Sequence, residues 1–243
     1  MAAPEPQAAT AASYTPIVTD FLRLCRAPFA PTGVFEEQRE KPTFWLPWLV
    51  LAVLFVAVGL VALPFTVQIA RISTEAAGRP FPASAESVTK VFAIVLTPVG
   101  LLVGILIGAV VLYLVSLVTG VQTRFKGLMT VSLFVAPITF LQTLVTTIAL
   151  RMRGLENIQS PADARITFGL DNLVSAEYAE AHKAVAALLR GVGPFEIWVL
   201  IVTALGLMAL EKVPKNKAWT IAIVAFVVGL VIRMAAAMIF KTG

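Results

Sequence analysis

Long apolar stretches, separated by short charged segments, occupy most of this chain of 243 residues. A helix rises about 1.5 Å per residue, so about 20 apolar residues are needed to cross a hydrocarbon core about 30 Å thick. Five stretches approach or exceed this length, and the charged residues inside them are Glu196 and Arg233. The pattern predicts an all-α, polytopic membrane protein with five spans, at about residues 44–69, 91–118, 127–150, 194–213 and 218–240.

Two further segments have helical periodicity but are too short or too polar to span. Pro16 occupies a typical first helical position, and residues 16–26 place apolar side chains on one face and charged ones on the other. This predicts an N-terminal amphipathic helix in the membrane interface, or alternatively one packed against the bundle. Pro28 and Pro31 are expected to end it. Ser175 is a candidate N-cap for a second, extramembrane amphipathic helix over residues 175–190, between spans three and four.

Residues 1–14 are rich in Ala and Pro and predict a disordered N-terminal lead, followed by a single membrane domain over residues 15–243. Hydrophobic residues make up 58% of the chain and charged residues 14%, compared with about 25% charged residues in soluble domains. The net charge of +5 falls beside the apolar stretches. Lipid headgroups are therefore the expected anionic partner, and nucleic acid is not.

The inventory of reactive side chains is small. The chain has one cysteine, Cys25, and one histidine, His182, so it cannot build a multi-histidine metal site, a CxxC pair or a disulfide within itself. We predict no catalytic, cofactor-binding or metal-binding residues, no cofactor, and no enzymatic activity.

Three glycines, Gly100, Gly104 and Gly108, recur every four residues in the second predicted span. Such a stripe removes side chains from one helix face, so that another helix can approach closely. It predicts a helix-packing surface, either within the chain or between two copies. A glycine-lined pore is the lesser alternative.

Two charges inside predicted spans are costly unless they pair, reach the membrane surface or line a cavity. Glu196 begins span four and Arg233 lies near the end of span five, which places both toward the same side of the membrane. We predict an intramembrane pair between them or separate contacts with the interface. Handling of a substrate or ion is the alternative. Polar residues at the end of span three are expected to form interhelical hydrogen bonds. They are Gln142, Thr143, Thr146 and Thr147.

The short connections between spans two and three and between spans four and five are rich in Lys and Arg, which are enriched on the cytoplasmic side of membranes. This predicts a cytoplasmic N-terminus. With five spans, the C-terminus is then expected outside.

Three sequence stretches resemble a known family. They are Leu22-x5-Pro28 and Phe35 leading to Pro42 and Trp45-x-Pro47; Gly120-x4-Phe125-Lys126-Gly127 running into Val135-Ala136-Pro137; and Gly193-Pro194-Phe195-Glu196-Ile197-Trp198, followed by Leu205-Gly206-Leu207 and Lys215-Asn216-Lys217-Ala218. Over about residues 16–240 the chain resembles the Ypt-interacting protein (YIP) domain superfamily, in its bacterial branch.

The resemblance implies a five-span membrane protein without enzymatic activity, in a bacterial plasma (inner) membrane. Eukaryotic members of the family bind small GTPases and act in vesicle traffic and membrane shaping. The N-terminus is shorter here than in those members, which argues against GTPase binding. We expect a non-catalytic scaffold or accessory subunit of a membrane assembly, in contact with lipids and with a protein partner or further copies of itself. The alternative is a transporter or channel subunit for a small solute or ion.

Overall fold

The computed structural model describes residues 16–160 and 163–239, so the predicted disordered lead at residues 1–14 lies outside the described residues. Within the described ranges the chain is helical and contains no strand. The α-helices are α1 (Pro16–Arg26), α2 (Pro31–Glu40), α3 (Trp45–Ala76), α4 (Ala85–Val118), α5 (Phe125–Arg153), α6 (Ala176–Ala181), α7 (Lys183–Arg190), α8 (Pro194–Glu211) and α9 (Lys215–Ile239). Two short 3-10 turns, Leu155–Asn157 and Leu170–Leu173, lie between α5 and α6.

Five of these helices, α3, α4, α5, α8 and α9, are long and apolar enough to cross a membrane, which confirms the predicted class. Pro64, Pro98 and Pro137 lie inside α3, α4 and α5, and none of them ends its helix. We call the end of the bundle at which α8 begins the Glu196 end, and the end at which α8 stops the Glu211 end.

The centre of the bundle is α5, which contacts α3, α4 and α8. Leu128, Val131, Phe134 and Ile138 of α5 have no accessible surface. Their spacing of three, three and four residues keeps them on one helix face, which is the periodicity of a buried stripe. Helices α3, α4 and α8 pack around α5, and many apolar side chains of the bundle face outward.

Pro31 begins a second N-terminal helix, α2, that the sequence analysis did not predict. A proline in the first turn sacrifices no intrahelical hydrogen bond, because the N–H at that position has no helical partner. The helix lies along α8 in the same direction. Trp198 Nε1 donates to the Pro28 carbonyl at 2.9 Å, and Arg39 Nη1 donates to the Ala209 carbonyl at 3.1 Å. Between these contacts the buried Phe35 ring lies against Gly206, where a Cβ would be 2.8 Å from the ring.

Helix α1 has the predicted bounds, and its polar side chains are turned into the protein. Asp20 is buried and accepts hydrogen bonds from Arg23 Nη1 and from Thr43 Oγ1, both at 3.0 Å. Arg23 Nε also donates to Glu37 Oε2 of α2 at 3.1 Å. The opposite, apolar face of α1 is exposed; it consists of Ile17, Val18, Phe21, Leu22 and Cys25.

The predicted extramembrane helix at residues 175–190 is two helices, α6 and α7, that meet at His182. Ser175 caps α6 as expected, with its Oγ accepting from the Tyr178 N–H at 3.2 Å. His182 has φ −123° and ψ 57°, outside the helical region, and its ring stacks on Tyr178 with centroids 4.3 Å apart. This local break turns α7 onto α9, which it contacts.

At the Glu211 end, one carboxylate joins α8 to the beginning of α5. The Glu211 side chain is 3% exposed and accepts from the Arg124 backbone N–H at 2.8 Å and from Arg124 Nη2 at 3.2 Å. The N–H groups of a helix's first turn lack intrahelical partners, and an anion there is favourable. Gly127 leaves room for this carboxylate, since a Cβ at that position would overlap it.

Candidate functional site

The two charged residues inside the spans meet at the Glu196 end, where α5, α8 and α9 come together. Glu196 is 9% exposed, and its Oε1 accepts from Gln142 Nε2 of α5 at 3.1 Å. Arg233 Nη1 of α9 is 3.8 Å from the same oxygen, and the Arg233 side chain is 59% exposed. The structure therefore brings the predicted pair together at long ion-pair distance. The sequence had not assigned Gln142 to this cluster.

The local sequence explains why a carboxylate is placed here. Gly193 is the N-cap of α8, Pro194 occupies its first turn, and Glu196 follows in the same turn. Negative charge at this end of a helix is favoured by the unpaired N–H groups. A Cβ on Gly193 would lie 2.8 Å from both Glu196 Oε2 and the Phe168 carbonyl oxygen. Glycine thus allows the preceding loop to close tightly over the carboxylate.

One oxygen of this carboxylate remains without a partner. Glu196 Oε2 is buried and makes no hydrogen bond within the described part of the chain. A buried carboxylate oxygen lacking a donor is unfavourable, because it has lost its water without replacement. Glu196 consequently retains the capacity to accept a further hydrogen bond.

A polar cavity of about 430 Å³ adjoins this cluster. Its charged lining residues are Glu196, Arg233 and Arg190, and Arg190 Nε is also 3.1 Å from Asp171 Oδ2. The segment that follows α5 supplies part of the wall through Thr167 and Phe168. The sequence alone did not point to this segment or to Arg190, because they become part of the site only through the packing of the loop.

Asp163, in the same segment, shows how this loop is held. Its carboxylate accepts hydrogen bonds from the Ser160 hydroxyl and from the backbone N–H groups of Gln159 and Ser160. These bonds, together with the nearby Arg153 charge, keep the pKa of the Asp163 carboxyl below its ordinary value. The loop that closes the cavity is thus fixed by a charged turn of its own.

The threonines predicted to form interhelical hydrogen bonds instead bond to their own helix. Thr143 Oγ1 donates to the Thr139 carbonyl, Thr146 Oγ1 to the Gln142 carbonyl, and Thr147 Oγ1 to the Thr143 carbonyl, each at 2.9 Å. Thr and Ser commonly satisfy their hydroxyl in this way within a helix. Gln142, whose longer side chain reaches Glu196, is the member of this set that makes an interhelical bond.

The glycine stripe of α4 lines an apolar groove of about 680 Å³ between α4 and α9, with α5 and α8 behind it. A Cβ on Gly108 would lie 3.2 Å from Ser132 Oγ of α5, so packing within the chain occurs at this position. A Cβ on Gly100 or Gly104 would meet no atom within 4 Å. Gly229, on the α9 wall, is equally uncovered. Helix packing at Gly100 and Gly104 stays a prediction, and the structure shows an open groove there.

The chain was compared with protein families, with curated proteins and with solved structures. No curated protein and no solved structure matches it. The family of the Yip1 domain matches residues 27–236, which takes in α2 and all five long apolar helices. This protein is therefore an integral membrane protein that belongs to the Yip1 domain family.

Proposed function

We propose that this protein is a non-catalytic scaffold or accessory subunit of a membrane assembly. The observation that carries the proposal is the outer part of α4, over residues 85–100, in which no residue is buried. Large apolar side chains there are exposed on several sides of the helix; they are Val88, Val91, Phe92, Ile94, Val95, Leu96 and Val99.

Lipid alone does not account for the beginning of this exposed surface. Helix α4 has 34 residues and is about 51 Å long. Even at a tilt of about 40°, it would extend about 39 Å along the membrane normal, beyond a hydrocarbon core of about 30 Å. Measured from Val118, a hydrocarbon core of about 30 Å ends near Pro98 for an upright helix and near Phe92 at this tilt, so the turns of α4 before Phe92 extend past it in either case. Contiguous apolar surface outside the hydrocarbon is typical of an interaction site.

The expected partner is another membrane protein with an apolar surface at the same level, at the Glu196 end. The family membership supports this proposal, because the match covers the whole helical bundle and the family is one of membrane proteins. Membrane organisation or trafficking is the process that we propose for such an assembly.

The proposal is tested by affinity purification of the protein at native expression level in a mild detergent, followed by mass spectrometry and size determination. A stoichiometric protein partner is expected, and the double substitution Val88→Asn and Val91→Asn should remove it. The control is Leu173→Asn, which changes a more exposed apolar residue in the loop segment and should leave the partner bound.

Two results would contradict the proposal. One is a partner that survives the double substitution in a protein with unchanged thermal melting. The other is a protein that purifies without any partner. That second outcome would favour the alternative, a transporter or channel subunit, for which the polar cavity beside Glu196 is the supporting observation; solute or ion flux in liposomes would then be measured.

A further inference from the structure

The apolar groove and the polar cavity meet at one side chain, Arg233, which lines both of them. The groove is lined mainly by aliphatic and glycine residues, whereas Gln142, Arg190 and Glu196 line the cavity. A site that is apolar along its length and charged at its end is complementary to an amphiphile. We propose that this combined site binds one membrane phospholipid, with an acyl chain in the groove and the phosphodiester at Arg233.

The dimensions of the groove suit one leaflet of a bilayer. Along α9 the groove runs from Ala222 to Arg233, a distance of about 16 Å at the rise of a helix. This is close to half of a hydrocarbon core of about 30 Å. Arg233 itself lies about 27 Å along α9 from Lys215, which begins this span at the Glu211 end. Its guanidinium is therefore near the headgroup level of the leaflet at the Glu196 end.

The two arginines can bind a phosphate. A guanidinium has five N–H donors, and those of Arg233 make one ion pair within the described residues, at 3.8 Å. Arg190 binds Asp171 through Nε, and its side chain is 44% exposed, so its remaining donors are accessible from the cavity. Arginine pairs with phosphate through short, charge-assisted bonds. Asp171 balances the charge of Arg190 and Glu196 that of Arg233, so the attraction for a phosphodiester comes from the unused N–H donors of the two guanidiniums.

Glu196 restricts the kind of headgroup. Its carboxylate lines the cavity beside Arg233, so a ligand that carries hydrogen-bond donors is favoured there over one that has none. The ammonium of phosphatidylethanolamine and the hydroxyls of phosphatidylglycerol are donors, whereas the quaternary ammonium of phosphatidylcholine has none. The site is therefore expected to prefer the first two lipids over the third.

The uncovered glycines keep the groove open for the chain of the lipid. Gly100 and Gly104 on α4 and Gly229 on α9 have no neighbour within 4 Å of a Cβ position. Larger side chains at these positions would extend into the space that an acyl chain needs. Gly59 on α3 is also uncovered but does not line the groove, so it provides a matched control for the same substitution.

The test is native mass spectrometry of the full-length protein in mild detergent, with phosphatidylethanolamine, phosphatidylglycerol or phosphatidylcholine added in turn. One molecule of either of the first two lipids should remain bound to the unaltered protein. Arg233→Gln should weaken binding about tenfold, which corresponds to the loss of one charge-assisted hydrogen bond. Gly104→Leu should abolish binding, and Gly59→Leu should not change it. If Gly104→Leu does not fold, Gly229→Leu on the opposite wall replaces it.

Several results would overturn the proposal. Equal lipid retention by Gly104→Leu and Gly59→Leu would show that the groove holds no chain, and equal binding of phosphatidylcholine would contradict the role of Glu196. Displacement of the lipid by inorganic phosphate would assign the arginines to a free anion. A dimer that Gly104→Leu dissociates would assign the groove to a second copy of the chain.

Discussion

Single glycines decide how closely the helices of this protein approach one another. Phe35 is buried against Gly206, the loop at Phe168 closes over Glu196 because residue 193 is a glycine, and Glu211 caps α5 in the space left by Gly127. At other glycines, such as Gly59, an added Cβ would meet no atom of another helix within 4 Å. The same residue type therefore has opposite tolerance to substitution at different positions.

We predict that Gly127→Ala lowers the thermal stability of the protein in detergent. A Cβ there would displace the Glu211 carboxylate from the first turn of α5. The Glu211 side chain, which is 3% exposed, would then lose its hydrogen bonds from Arg124. The lost hydrogen bonds cost about 1–3 kcal/mol, as for a buried polar group deprived of its partners, and the helix preference of alanine offsets about 1 kcal/mol of this.

The control for this substitution is Gly59→Ala, also inside a long helix. Alanine favours a helix over glycine by about 1 kcal/mol, so this variant should melt at the same temperature or higher. Equal destabilisation of the two variants would show that the Glu211 contact contributes nothing at this site.

Part of this arrangement of single residues could be predicted from the sequence. The spacing of Glu196 and Arg233 along their helices placed them at one side of the membrane, where the structure brings them within 3.8 Å. The environment of the glycine stripe was not predictable, because small residues show only that a neighbour can approach. Whether a neighbouring helix approaches the stripe depends on where α9 packs, and the position of α9 is set by contacts elsewhere in the bundle.

At the scale of elements, the N-terminal hairpin of α1 and α2 is the main departure from the predicted pattern. From the sequence, Pro28 and Pro31 were expected to end α1, and no helix was predicted between α1 and the first span. The structure instead uses Pro31 to begin α2 and places Glu37 in ion pairs with Arg23 and Arg26. Charges that satisfy one another inside a hairpin have the same sequence pattern as charges that face water, so periodicity alone could not separate the two.

The position of this hairpin indicates that it lies alongside the membrane-spanning part of α8. The turn at Pro28 contacts Trp198, and the other end of α2 contacts Ala209, about 16 Å further along the spanning helix α8. The exposed face of α1 is apolar, and Phe29 in the turn is 73% exposed. These side chains are favourable against lipid and unfavourable against water.

We therefore predict that Cys25 is shielded from water. In sealed membranes it should react with an apolar, membrane-permeant maleimide and not with a charged thiol reagent added to either side. It is the chain's sole cysteine, so no other thiol interferes. The control is Ser84→Cys combined with Cys25→Ala, which moves the thiol to the exposed turn between α3 and α4. Rapid reaction of Cys25 with the charged reagent would place α1 at the water interface.

At the scale of the whole molecule, the number of spans could be predicted from apolar length alone, since each long apolar stretch is one helix in the structure. Orientation is not readable in the same way, because Lys and Arg occur at both ends of the bundle. Only the two short connections at the Glu211 end are consistently basic, and these include Arg124, Lys126, Lys212, Lys215 and Lys217.

We predict from these connections that the Glu211 end is cytoplasmic. In intact cells, a charged thiol reagent should label Ser84→Cys at the opposite end and should not label Asn216→Cys, both in a Cys25→Ala background. After the membrane is made permeable, both positions should be labelled, since both residues are exposed. Labelling of Asn216→Cys alone in intact cells would reverse the assignment.

The packing of α2 on α8 has a consequence for the order of events during synthesis. The Phe35 ring packs against Gly206, which is synthesised 171 residues later. Until Gly206 has been synthesised, one side of the hairpin of α1 and α2 is not covered by α8. During this time the bonds of Arg23 with Asp20 and Glu37 hold the hairpin together. Nascent chains that stop before α8 are accordingly the species most in need of insertion chaperones, and the most exposed to membrane proteases.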